Sequence, residues 1–199
     1  MSVQVQKRLY NVAELLVINN QSETQYELMN GELVEMAPTT FKHGNLAAKI
    51  CARIVVYIEK YGKGEVATET GYILKHSPDI VCGPDVSYFS GAKLALAEKA
   101  DDEGYLDFAP DLAVEVISPG DRTGEVFQKM QKYLDAGVAL IWLVYPKKEI
   151  VNVIRPDEPI LMLSRKNGDK LEGYDVLPDF ELPLENLFAR TSGQSSQDG

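Results

Sequence analysis

Two short apolar runs separated by a helical stretch constrain this chain more than any other feature. Asp111–Ser118 reads Asp-Leu-Ala-Val-Glu-Val-Ile-Ser and is stopped by Pro119-Gly120, and Val138–Tyr145 is an apolar run stopped by Pro146. Both are short for a helix, and the second has the composition of a central strand. Between them Val126, Met130, Tyr133, Leu134 and Gly137 mark the inward face of a helix from about Thr123 to Ala136, with Gly137 as its stop. Strand, helix and strand at this length predict a βαβ crossover between parallel strands.

A carboxylate interrupts the first run. Glu115 has only apolar neighbours from Leu112 to Ile117, and the strand period of two sets Asp111, Ala113 and Glu115 on one face. Left unpaired in an interior it would cost several kcal/mol, so it must be protonated, salt-bridged to a Lys or Arg, or bound to a cation. Asp85, in Gly83-Pro84-Asp85-Val86, stands where another strand begins, although Pro-Asp is also an ordinary turn. If those strands pair, the two carboxylates come within a few ångströms of one another. With no histidine or thiolate expected beside them, such oxygens suit magnesium or manganese rather than zinc.

On the helix, Lys129 lies at the edge of the inward face while Lys132 points away. An ammonium at Lys129 could orient or deprotonate water and stabilise a phosphorane-like transition state, or simply extend to solvent. His43 opens an earlier helix, where the dipole disfavours its cationic form and would leave it neutral as a base or ligand. Glu32 follows a hairpin turn. Both also have purely structural readings.

The remaining pattern fills in an α/β frame. Tyr26–Met36 carries Asn30-Gly31 between two alternating arms and predicts a type I′ hairpin. Leu46, Ile50, Ile54, Tyr57, Ile58 and Tyr61 predict one helix from His43 to Tyr61, ended by Gly62. Glu65–Leu74 and Val81–Phe89 read as two strands around a His-Ser-Pro-Asp turn, Glu149–Ile154 as a strand after a Lys-Lys turn, and Pro159–Leu163 as a short edge strand. The expected organisation is one domain over residues 1–190, with a small polar tail at 191–199 that is expected to be disordered.

Net charge narrows the partners. At −10 with a pI near 4.7, the chain is unlike proteins that coat nucleic acid, so a polyanion has to be met locally. Lys42, His43, Lys49 and Arg53 form one candidate cluster, and Lys129 with Lys132 another. The opening segment lacks a signal-peptide order and no apolar run is long enough to span a bilayer, which predicts a cytoplasmic protein without a membrane partner. Cys51 and Cys82, far apart, are expected to be buried small hydrophobes.

The ordered set Pro84-Asp85, Asp111-Leu112-Ala113-Val114-Glu115-Val116-Ile117-Ser118-Pro119, Lys129, Tyr133, Ala136-Gly137-Val138 and Trp142-Leu143-Val144 resembles the Uma-two family of restriction-endonuclease-like proteins. The resemblance takes in Tyr26-Glu27-Leu28, Gly31–Met36, His43 and Leu177-Pro178-Asp179-Phe180, and covers residues 23–188. It implies an α/β (α+β) fold with a restriction-endonuclease-like core, a mixed sheet flanked by helices, behind an N-terminal hairpin. It further implies a PD-(D/E)xK site in which Asp85 is the first acid and Glu115 the second. Ile117 stands where the written motif has its lysine, and the resemblance places the amine on the next helix, at Lys129.

The expected activity is a magnesium-dependent endonuclease, with manganese as a substitute, that hydrolyses DNA phosphodiesters. Asp85, Glu115 and the Val116 carbonyl would hold the ion, Lys129 would position water, and Glu32 or His43 would serve as outer ligand or proton carrier. A homodimer is expected for cutting two strands. The alternative is a non-catalytic binding or assembly module on the same fold, which the net charge favours; a hydrolase of a small phosphorylated molecule ranks after both.

Overall fold

The computed structural model describes residues 8–100 and 104–189. The tail at 191–199 lies outside the described residues. The chain enters through α1 (Val12–Gln21), which the sequence reading did not anticipate. Its signal is local: Asn11 accepts from the Glu14 N–H at 2.9 Å while the Glu14 carboxylate accepts from the Asn11 N–H at 3.0 Å, a complete capping box. The predicted hairpin follows as β1 (Tyr26–Met29) and β2 (Glu32–Glu35), with Asn30 and Gly31 at φ 53° and 80° as a type I′ turn requires.

The long helix α2 (Phe41–Tyr61) starts two residues earlier than expected because Thr40 caps it, and ends at Gly62 in the left-handed region with φ 64°. Its buried stripe is Leu46, Ile50, Ile54 and Tyr57. The two strands expected next are each split. β3 (Glu65–Ala67) and β6 (Val86–Phe89) join one sheet, whereas β4 (Tyr72–Lys75) and β5 (Ile80–Cys82) join another. The breaks fall at Gly71, where a Cβ would lie 2.3 Å from the Tyr105 ring, and at Gly83-Pro84, where the proline has no N–H for a ladder. The second break leaves Asp85 at the threshold of β6.

After α3 (Ala92–Ala97) comes the crossover. β7 (Leu112–Val116) runs parallel to β8 (Leu140–Tyr145), Leu112 opposite Leu140 and Val116 opposite Val144, and α4 (Thr123–Asp135) connects them. β9 (Ile150–Ile154) returns antiparallel, and β10 (Leu161–Ser164) forms the expected edge. β11 (Lys170–Glu172), β12 (Glu181–Pro183) and α5 (Leu184–Phe188) close the described chain.

The six-stranded sheet has the order β10-β9-β8-β7-β6-β3, and a four-stranded sheet has the order β2-β1-β5-β4. The central strands are covered on both faces. Val114, Trp142 and Val144 pack with α2 and the C-terminal elements, and Ala113 and Ile141 pack with Met130 and Tyr133 of α4. Each fully buried large side chain contributes roughly 1.5–3 kcal/mol. Cys82 is fully buried as expected, and Cys51 is half-buried. Among the described residues no helix is long and apolar enough to cross a membrane.

Candidate active site

The antiparallel register of β6 on β7, Val86 opposite Val114, carries Asp85 to the strand that bears Glu115. Asp85 Oδ2 accepts the Val116 N–H at 2.6 Å, so the first acid is fixed by the backbone of the second acid's strand. Both carboxylates line one cleft of about 620 Å³, which Glu32, His43, Val116 and Lys129 also line. The structure thus gathers every expected site residue at one opening. The pairing that seemed conditional in the sequence is present.

Lys129 reaches the sheet from α4. Its Nζ lies 2.9 Å from Glu115 Oε1 and 2.9 Å from Glu27 Oε1, in a largely enclosed position. Burial opposes its charge, but the carboxylates of Glu115 and Glu27 outweigh burial and hold the ammonium well above its ordinary pKa. Of the two roles open to this lysine, orienting water suits its charge state and deprotonating water does not. Lys132 stands one turn further along, half-buried.

Glu115 resolves its three alternatives by mixing them. It is salt-bridged to Lys129 and accepts from the Tyr133 hydroxyl at 2.7 Å, yet burial pushes it up to about 7, with Asp85 and Glu27 adding to the rise against the pull of Lys129. The site is therefore short of positive charge. Tyr133 is held well above the ordinary phenol range by burial and then by Glu115.

His43 corrects two expectations. It does stand beside the carboxylates: Nε2 is 2.7 Å from Asp85 Oδ1, and Nδ1 is 3.2 Å from Ser118 Oγ. Its pKa is raised, chiefly by the hydrogen bond to Asp85, against desolvation. A short contact with a carboxylate outweighs the helix dipole, whose influence is on the order of 1 kcal/mol.

Glu27 and Ser118 are the neighbours of this set that sequence reasoning did not single out. Glu27 is buried, accepts the Gly83 N–H at 2.7 Å and shares Lys129 with Glu115. The available signal was a carboxylate on a hairpin arm between Tyr26 and Leu28. Ser118 is held by Asp121, which accepts its N–H at 2.7 Å. Among the described residues no three His, Cys, Asp or Glu side chains are grouped to hold a metal ion.

Comparison with known proteins gives a consistent account of the frame. The sequence profile of the Uma2 family, described as "Putative restriction endonuclease", matches residues 12–185. The crystal structure of a protein from Anabaena variabilis, titled a putative nuclease, matches with a TM-score of 0.75 at 19% identity, over 89% of this chain and 96% of that chain. That likeness bears out the expected mixed α/β core of restriction-endonuclease type. A search of curated proteins finds no match.

Proposed function

Since the chain belongs to the Uma2 family, described as putative restriction endonucleases, we propose that it is a magnesium-dependent endonuclease that hydrolyses DNA phosphodiester bonds, using the cleft between β6, β7 and α4. One observation carries the reading. Asp85 and Glu115, far apart in sequence, come to one cleft with the protonated Lys129 against Glu115.

The donor chemistry fits a hard divalent cation, magnesium or manganese. Asp85 and Glu115 offer carboxylate oxygens and Val116, at the cleft wall, would offer its peptide oxygen; Glu115, raised to about 7 first by burial and then by the neighbouring charges of Asp85 and Glu27, would be eased by a bound cation. No third side-chain ligand is grouped there among the described residues, so the Val116 carbonyl and water would complete the set. When bound, the ion supplies charge neutralisation and polarisation of a phosphate oxygen.

The chain's own residues do the rest. Asp85 is oriented from both sides, by the Val116 N–H and by His43. Lys129 keeps its proton, so it aims an N–H at an attacking water or a phosphate oxygen and stabilises the negative charge that develops there. His43, held between Asp85 and Ser118, would carry a proton at Nδ1 or Nε2, and Glu32, on the cleft wall, would serve as an outer ligand. A second copy about a twofold axis would let the enzyme cut both strands.

The test is incubation of supercoiled plasmid with the purified protein in magnesium, in manganese and in chelator. Nicking in either metal and none in chelator supports the reading. Magnesium binding without nicking transfers the protein to the non-catalytic module.

A further inference from the structure

The first turn of α2 separates two depressions. Thr39 and His43 face the acidic cleft, whereas Phe41 and Lys42 line a groove of about 720 Å³ whose other walls include Asn45, Lys49, Arg165 and Phe188. Phe41 is 89% exposed, the most exposed large apolar side chain described, and it stands two residues from the histidine that touches Asp85. An aromatic ring left in water at that point has no packing role in the fold.

The groove walls carry Lys42, Lys49 and Arg165 against one carboxylate, Glu149. Arg165 is neutralised between Glu149 and Glu185, 3.0 and 2.7 Å away. Lys49 instead donates to two backbone carbonyls, of Leu187 at 3.2 Å and Ala189 at 2.6 Å, so its charge is not cancelled by a carboxylate. Lys42 beside it is exposed. In a protein of net charge −10 this sets positive charge next to an unpacked aromatic ring, across the first turn of α2 from the proposed catalytic cleft. Aromatic platforms beside local cations are how proteins hold unstacked bases and the phosphates between them.

We propose that this groove takes an unstacked nucleotide flanking the scissile phosphate, with Phe41 stacked on its base and Lys42 and Lys49 drawing its phosphate, so that DNA with unpaired bases at the cut site is preferred to a fully paired duplex. The inference rests on the nuclease reading of the adjoining cleft. The groove volume falls in the range of small-ligand sites and admits a nucleotide.

The experiment is fluorescence anisotropy of labelled DNA in calcium, which reads binding without requiring turnover, using a duplex with a short central bubble and the same duplex fully paired. Wild type is expected to prefer the bubble. Phe41→Ala should lose about tenfold on the bubble, as for removal of one base stack, and nothing on the paired duplex. Phe41→Trp should keep the preference, and its exposed indole should be quenched by the bubble DNA, while the one native tryptophan, Trp142, is fully buried and stays unaffected. Equal binding of both DNAs by wild type, or full bubble affinity in Phe41→Ala, overturns the proposal. Plasmid nicking by wild type is run alongside as the separate test of the nuclease: nicking together with full bubble affinity in Phe41→Ala rejects the stacking alone, whereas absent nicking rejects the nuclease and leaves the anisotropy result to decide the stacking.

Discussion

Replacing Glu115 by glutamine should change how stability depends on pH more than it changes stability at any one pH. Burial, and the charges of Asp85 and Glu27, raise this carboxyl from an ordinary 4.5 to about 7 even though Lys129 pulls the other way. A raised folded-state pKa means that the unfolded chain gives up the proton first. The stabilisation is complete below about pH 4.5 and is lost as pH climbs through about 7. At about 1.4 kcal/mol for each tenfold in acidity, the loss is about 3 kcal/mol across that window. Glutamine keeps the shape and can still accept from Tyr133 and Lys129, but it does not titrate. Urea unfolding in chelator at several pH values between 4 and 8 should therefore show wild type losing about 3 kcal/mol relative to Glu115→Gln. His43, whose pKa is also raised, is common to both proteins, so its titration cancels to first order in the difference. A difference that stays flat across the window would refute the burial argument.

Lys129→Met should destabilise the protein by about 3–5 kcal/mol at pH 8, because it leaves Glu115 and Glu27 enclosed without their shared cation; chemical denaturation would show it, with partial recovery at acid pH. Asp85→Asn should lower the pKa of His43 toward the ordinary imidazole value, since that carboxylate is the main cause of its rise. With two histidines in the chain, a proton NMR titration resolves the change, and an unmoved pKa would contradict the assignment.

Much of the frame was legible because its signals are local. Asn30-Gly31, the stop at Gly62 and the two apolar runs around α4 each depend on a few neighbouring residues. Where the chain changes sheets, the sequence reads as one strand, because β4 and β5 keep the same apolar character as β3 and β6; only Gly71 and Gly83-Pro84 mark the corners. The α1 cap was present as Asn11 and Glu14 but belongs to a segment read only for targeting. At the site, Glu115 stood out because it interrupts an apolar run, whereas Asp85 at a Pro-Asp step and Lys129 at the edge of a helix face are unexceptional alone and were singled out by their order together with the family resemblance. Glu27 could not be singled out, since a single carboxylate on a hairpin arm is unremarkable until β1 is paired with β5 and Gly83 is brought to it. For His43 the sequence reading found the helix start but the wrong direction of its pKa shift, because the helix that carries it is visible in sequence and the Asp85 contact is not.

The central claim is that Asp85, Glu115 and Lys129 act as one phosphodiester-cleaving set. Supercoiled-plasmid nicking in magnesium by wild type, Asp85→Asn, Glu115→Gln and Lys129→Ala, each checked for a native near-ultraviolet circular dichroism spectrum, tests it most directly. The account predicts nicking by wild type, abolished by chelator, and a loss of at least about a hundredfold in every folded variant, the scale on which charge-stabilising groups act. Folded variants that nick as fast as wild type would contradict it.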